Sequence, residues 1–134
     1  MQIDGNCHCG AIHYTATIDP SQVSICHCTD CQVLTGSPYR VSVLCAPDNV
    51  QIVSGDTRVY RKTGDSGRIR LQHFCGDCGT PLFACDGDPR VGIWSLRWGS
   101  IAQRDELRPS RQIWCRSAIP WASELAALPG QAME

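Results

Sequence analysis

The chain reads Arg68-Ile69-Arg70-Leu71-Gln72-His73-Phe74 and runs straight into Cys75-Gly76-Asp77-Cys78-Gly79. The first part alternates polar and apolar residues, the period-2 pattern of a strand with one face covered. The second part is a C-x-x-C-G turn, in which glycine suits the left-handed position after the second cysteine. A strand that delivers two thiols into a tight turn offers two metal ligands in a fixed geometry. A closed tetrahedral zinc site needs four. The stretch therefore predicts a β domain stapled by metal, with two further ligands elsewhere in the chain.

Gly5-Asn6-Cys7-His8-Cys9-Gly10 supplies a matching pair, with Cys7 and Cys9 expected on one face of an extended segment. Cys7, Cys9, Cys75 and Cys78 form the candidate structural zinc site. It closes a loop of about 65 residues, so metal-binding free energy becomes folding free energy. Four buried, reduced thiols without metal are the bland alternative. A third motif, Cys26-His27-Cys28-Thr29-Asp30-Cys31, is C-x-C-x-x-C. Strand alternation puts Cys26 and Cys28 on one face, and a turn after Cys28 returns Cys31 to the same point. Three protein ligands with an open fourth position are the pattern of catalytic zinc. Thiolates are soft and favour zinc over magnesium or calcium. The rival readings are a structural site completed by Cys45, Cys85, Cys115 or a histidine, and an iron–sulfur cluster, whose usual spacings are not met. Otherwise Cys45, Cys85 and Cys115 are expected as small buried hydrophobes. His8 and His27 are expected to face away from the ligands between which they lie, and His73 to face the metal side.

The 134 residues suit one domain, with a core over about residues 5–121 and a frayed tail at 129–134. Charged residues make up 19% and the net charge is −1, with no basic stripe, which argues against nucleic acid. No apolar run approaches the roughly 20 residues of a membrane span, and Met1 to Gly5 begins neither a signal nor a transit peptide. The expectation is a cytoplasmic chain, where ten cysteines more readily bind metal than pair as disulfides. Strands are predicted over Ala11–Ile18, Val23–Ile25, Tyr39–Cys45, Val50–Val53, Thr57–Lys62, Arg68–Phe74, Pro81–Cys85, Val91–Trp94 and Gln112–Cys115. Short helical turns are predicted at Thr29–Leu34, ended by Gly36, at Ser100–Leu107 and at Trp121–Leu128. On the Tyr39–Cys45 strand, Tyr39, Val41, Val43 and Cys45 share one face. Most of the four tryptophans, Trp94, Trp98, Trp114 and Trp121, are expected in the core. Many short strands about ten residues apart indicate a mostly-β domain of packed sheets.

Taken in order, G-x-C-x-C-G, C-H-C-x-x-C-x-x-x-T-G-S and F-C-x-x-C-G-T-P-L resemble the glutathione-dependent formaldehyde-activating family, which includes the centromere protein V type domain. The segment from Arg108-Pro109 through Ile113-Trp114 to Pro120-Trp121 resembles the family's closing segment. The resemblance implies packed antiparallel sheets of the Mss4-like kind. It implies two zinc ions per chain: a structural one at Cys7, Cys9, Cys75 and Cys78, and a catalytic one at Cys26, Cys28 and Cys31. It implies a carbon–sulfur lyase or synthase that joins glutathione to formaldehyde as S-hydroxymethylglutathione, although members that only carry the thiol fit the same pattern. A two-zinc structural interaction module is a third reading. Thr35, Gly36 and Ser37 follow the triplet and can hold the peptide-like thiol through backbone N–H groups and hydroxyls, or form a plain turn. One departure stands out. Where family members often carry a small residue followed by Leu-Asp, this chain has Ser95-Leu96-Arg97-Trp98. An arginine in place of an acid bears on which ligand is accepted.

Overall fold

In the computed structural model, which describes residues 1–133, strands dominate and fall into two sheets. Strands β1 (Gln2–Asn6), β2 (His13–Thr17) and β5 (Val50–Ser54) form a three-stranded antiparallel sheet in the order β1-β2-β5. Strands β3 (Val23–Cys26), β4 (Arg40–Cys45), β6 (Thr57–Thr63), β7 (Ile69–Cys75), β8 (Pro81–Asp86), β9 (Trp94–Arg97) and β10 (Arg111–Ile113) form a seven-stranded sheet. Its order is β10-β3-β4-β9-β8-β7-β6. Every neighbouring pair is antiparallel except β10 with β3, which is parallel. Helix α1 (Thr29–Thr35) follows β3.

The core lies where the sheets face each other. Ile3, Tyr14 and Ala16 of the small sheet meet Val23, Val43, Phe83 and Leu96 of the large one, with Ile101 and Leu107 closing one end. Within the small sheet, the Tyr14 ring folds over its neighbouring strand closely enough to need a glycine. Gly5 is paired with Tyr14, and a Cβ there would run into the tyrosine ring. The Tyr14 hydroxyl donates to Ser100 Oγ at 2.8 Å, and Ser100 passes its own proton to the Arg97 carbonyl at 2.8 Å. The buried hydroxyl is thereby satisfied.

Register decides what the outer face of the large sheet carries. Directly paired residues of an antiparallel ladder point the same way. Cys26 is paired with Arg40, Ser24 with Ser42, Ser42 with Arg97, Ala84 with Ser95 and Gln72 with Ala84. One polar, cationic face therefore runs across the sheet, opposite the apolar face of Val23, Val43 and Leu96. Burial of Arg40 and Ser42 as well as Val43 shows that β4 is covered on both sides. The predicted grouping of Val43 and Cys45 is borne out, since both are buried in the core.

Several boundaries differ from expectation. The N-terminal Gln2–Asn6 is a strand, although it has too few apolar residues to signal one; its Met1 amine and the Ile18 N–H bond each other's main chain and tie it to β2. The Val91–Trp94 strand is displaced to Trp94–Arg97, because Gly92 adopts φ 77° in the preceding turn. Trp121–Leu128 is not one helix but two 3-10 turns, Pro120–Ser123 and Leu125–Ala127, and Ser100–Leu107 is likewise replaced by Trp98–Ser100 and Arg104–Glu106. Trp94 and Trp98 pack against the core, but Trp114 and Trp121 are about half exposed, at 51% and 55%. Residues 129–133 carry no helix or strand; the last residue of the expected tail, Glu134, lies outside the described residues. Among the described residues no helix is long and apolar enough to cross a membrane.

Candidate functional site

Four sulfurs meet where the two sheets are joined. Cys7 follows β1, Cys75 ends β7, and Cys78 precedes β8. Cys7 Sγ and Cys9 Sγ are 3.5 Å apart, and Cys9 Sγ and Cys75 Sγ 3.8 Å. Sulfurs around a tetrahedral zinc, with bonds of about 2.3 Å, stand about 3.8 Å from one another. The donor set and its spacing fit zinc. The two halves are built alike. Cys7 N–H donates to Ile12 O and Cys75 N–H to Thr80 O, and each loop closes on a glycine of positive φ, Gly10 at 79° and Gly79 at 76°. Cys7 and Cys9 thus converge from a turn, not from the extended segment expected of them. Ile12 N–H donates to Cys7 Sγ at 3.2 Å. The Thr80 side chain and then its main chain hold the Cys78 thiol down at about 5.

A second cluster forms where β3 ends. Cys26 is the last strand residue, Cys28 is the N-cap of α1, and the Cys31 N–H donates to Cys28 Sγ at 3.3 Å. The first helical turn so returns Cys31 to the other two, and the three sulfurs lie within 4.8 Å of one another. Alternation sends His27 to the other side, where it is buried and shares a 2.7 Å hydrogen bond with Gln112 Oε1. Cys31 donates to Cys26, which draws the Cys26 thiol down and pushes Cys31 up, with burial adding to the rise. Among the described residues no further cysteine, histidine or carboxylate joins the three. Cys45 is buried and donates to the Thr17 and Ala46 carbonyls, Cys85 lies beside His73 Nε2, and Cys115 is exposed. None closes the gap.

The triplet opens on a cleft of about 410 Å³ lined by the outer face of the large sheet. Cys26 and Cys31 share it with Arg40, Lys62, Arg68, Arg70, Arg97 and Arg111, and no carboxylate or histidine is among the lining residues. Asp86 sits behind Arg68 and Arg70 and pairs with both at 2.8 Å, while Asp30 pairs with Lys62 at 2.6 Å. Among the described residues Arg40, Arg97 and Arg111 have no carboxylate partner. Arg97 is held by Ser42 Oγ at 2.9 Å and Gln72 Oε1 at 2.6 Å. Burial, then the Arg40 charge, bring its guanidinium down to about 9, still protonated at neutral pH. Arg40 is 5% exposed and its Nε has no hydrogen-bond partner.

The sequence model described as glutathione-dependent formaldehyde-activating enzyme matches residues 2–117. The chain belongs to this family. It is 33% identical over 82 residues to a Schizosaccharomyces pombe protein named as an uncharacterized lyase; the match covers 61% of this chain and 56% of that protein, little more than half its length. It is 26% identical over 117 residues to a Halomonas elongata protein provisionally named a glutathione-dependent formaldehyde-activating enzyme, over 84% of this chain and 73% of that one. A crystal structure of a Rhodobacter sphaeroides protein shares the fold, with a TM-score of 0.62 at 17% identity, covering 84% of this chain and 99% of the other.

Within this glutathione-dependent formaldehyde-activating family member, Thr35, Gly36 and Ser37 end α1. The Thr35 hydroxyl donates to the Cys31 carbonyl at 2.7 Å, and Gly36 is the left-handed cap at φ 64°. Thr35 and Ser37 line a cavity of about 530 Å³ next to the triplet cleft, and Arg40 and Arg97 line both. His73 does not face the four-cysteine site: its Nδ1 bonds Thr57 Oγ1 at 2.7 Å and its ring stacks on Phe83. The side step comes from the register shift between His73 and Phe74. Arg40, Ser42 and Gln72 escaped the sequence reading. The alternation of the Tyr39–Cys45 strand had already put Arg40 and Ser42 opposite the core face, and it was the one available signal.

Proposed function

We propose that the protein joins a small thiol of the glutathione kind to a small aldehyde such as formaldehyde, and cleaves the same carbon–sulfur bond in reverse. The observation that carries this reading is three sulfurs converging on an open cationic cleft, with no fourth ligand among the described residues. Cys7, Cys9, Cys75 and Cys78 would hold a structural zinc, and Cys26, Cys28 and Cys31 a catalytic one. Zinc bound at the triplet supplies Lewis acidity and lowers the pKa of an incoming thiol. The chain's own residues supply the rest. In the addition a carbon–sulfur bond forms, the carbonyl π bond breaks, and the thiol proton ends on the new alcohol oxygen. Arg40, the cross-strand neighbour of Cys26, offers a buried guanidinium to the negative charge that develops on that oxygen. Thr35 and Ser37 are the candidates to hold the peptide part of the thiol, because their cavity shares Arg40 and Arg97 with the cleft.

One observation favours a second reading, a thiol carrier without turnover: the cleft lining has no carboxylate or histidine to relay the proton. Exchange NMR of glutathione with formaldehyde separates the two. Acceleration beyond the uncatalysed exchange by zinc-loaded protein, abolished in Cys28→Ser with the fold intact, is the expected result. Binding of glutathione without acceleration leaves the carrier, and no thiol binding at millimolar concentration leaves a structural module.

A further inference from the structure

We propose that the aldehyde taken by this cleft carries a carboxylate on its reacting carbon, so that the adduct is an S-(hydroxy)(carboxy)methyl thioether and not an S-hydroxymethyl one. The inference rests on the thiol–aldehyde reading above and specifies its substrate class.

The argument is one of unmatched charge and its position. Six cationic side chains line the cleft and no acid does. Three of them are matched by Asp86 and Asp30 standing behind. Of the unmatched three, Arg111 lies exposed on the edge strand β10, but Arg40 and Arg97 are buried on the two adjacent central strands β4 and β9, at 5% and 9% exposure. Burying a cation without a counter-charge is costly. Arg97 satisfies two donors on neutral Ser42 and Gln72, which orient the guanidinium but leave its charge uncompensated. Arg40 has a buried N–H with nothing to donate to. A ligand anion would supply what both lack.

The cysteine triplet could itself be the counter-charge, and glutathione brings two carboxylates of its own. The triplet is matched first by Arg40. Cys26 already has Arg40 as its direct cross-strand neighbour, while Arg97 sits one strand further, paired with Ser42. The carboxylates of glutathione are at the ends of its peptide, six or more bonds from sulfur. A peptide carboxylate held in the Thr35–Ser37 cavity faces Arg97 as well, since Arg97 lines that cavity too, so the test below keeps the peptide constant and varies only the group beside sulfur. A carboxylate on the carbon bonded to sulfur is only two bonds from it, short enough to reach an arginine on the strand beside Arg40. The reaction balances without a further reagent. The thiol and the aldehyde acid form one carbon–sulfur bond, the carbonyl π bond breaks, and the thiol proton ends on the hydroxyl oxygen. The carboxylate is unchanged.

Two stable analogues test this on the zinc-loaded protein. S-carboxymethylglutathione and S-carbamidomethylglutathione differ only in a carboxylate against an amide next to sulfur, and both keep the peptide's own carboxylates. Calorimetry should find the carboxylate analogue bound at least about tenfold tighter, the scale of a charge-assisted hydrogen bond. The preference should collapse in Arg97→Gln and be partly restored in Arg97→Lys, with two zinc ions per chain retained. Glyoxylate should then exceed formaldehyde in exchange with glutathione by a similar factor. Equal affinity for the two analogues, with glutathione still bound, overturns the proposal and leaves the thiol–aldehyde reading standing. Loss of glutathione and both analogues alike in Arg97→Gln also overturns it, because Arg97 then serves the peptide or the metal. If the wild-type protein binds neither analogue nor glutathione, both readings fall. The comparison on wild type decides the matter even if Arg97→Gln does not fold.

Discussion

Gly5 and Tyr14 show how tightly neighbouring strands of the small sheet fit. The tyrosine ring occupies the space of the missing side chain, and its hydroxyl reaches Ser100. Gly5→Val should destabilise the protein by about 1–3 kcal/mol, the range for overpacking a filled site, measured by chemical denaturation. A variant of unchanged stability would mean that the ring moves aside freely. Asp86 makes a different kind of contribution. Hydrogen bonds from Arg68 and then Arg70 hold its carboxyl below the ordinary value. The unfolded chain therefore takes up this proton more readily as the pH drops. The contribution of Asp86 is full above about pH 4 and is lost as pH falls through the lower folded value. The stability gap between wild type and Asp86→Asn should be widest near neutrality and close in acid. A gap independent of pH would show that Asp86 acts through shape alone.

The elements explain why the cysteine triplet stays together with no fourth ligand among the described residues. Helix α1 is only seven residues long and buries none of them, so it cannot be held by packing. It is held by bonds to its neighbours. Gln32 Nε2 donates to the His27 carbonyl at 2.8 Å and the Ser117 carbonyl at 2.9 Å, and Lys62 of β6 grips Asp30. The parallel strand β10 supplies Gln112 to His27, and its Ile113 carbonyl accepts from the His27 N–H at 3.1 Å. The segment beyond residue 110 is thus a buttress for the triplet. Removing outer support of this kind typically costs ten- to a hundredfold in metal affinity. Gln32→Ala should weaken zinc at the triplet by about tenfold and leave the four-cysteine zinc in place, as read by chelator competition. Equal loss from both sites would show that α1 supports the whole fold instead.

For the molecule as a whole, the four-cysteine cluster is the clasp between the two sheets. It joins the end of β1 to the turn between β7 and β8 across 66 residues from Cys9 to Cys75. Structural zinc binds with an apparent 10–16 kcal/mol, roughly as large as the stability of a domain. Stripping metal with a strong chelator should therefore unfold the chain, and Cys75→Ser should lower the melting temperature sharply. Cys28→Ser should change it little, because the triplet joins only β3 to its own helix. Equal melting temperatures for the two variants would contradict this division of roles.

Much of this was legible in the residues. Three cysteine spacings supply two pairs and a triplet, since a tight turn brings together ligands a few residues apart, and the four ligands of tetrahedral zinc join the two pairs; strand alternation settles which side chains of β4 enter the core. Gly36 ends α1 as its position suggests. Alternation and turn chemistry are local, and they survive any tertiary context that keeps the segment extended. What the chain order could not supply is neighbourhood. That Arg97 of β9 stands beside β4, that Gln72 and Ser42 hold it, and that residues 111–113 lie parallel to β3 all depend on strand order across the sheet. Strand order is set by the non-local burial of two apolar faces. The cysteines therefore announced two sulfur clusters fit for metal from sequence alone, while the cationic face beside the triplet was decided only when seven strands came into register.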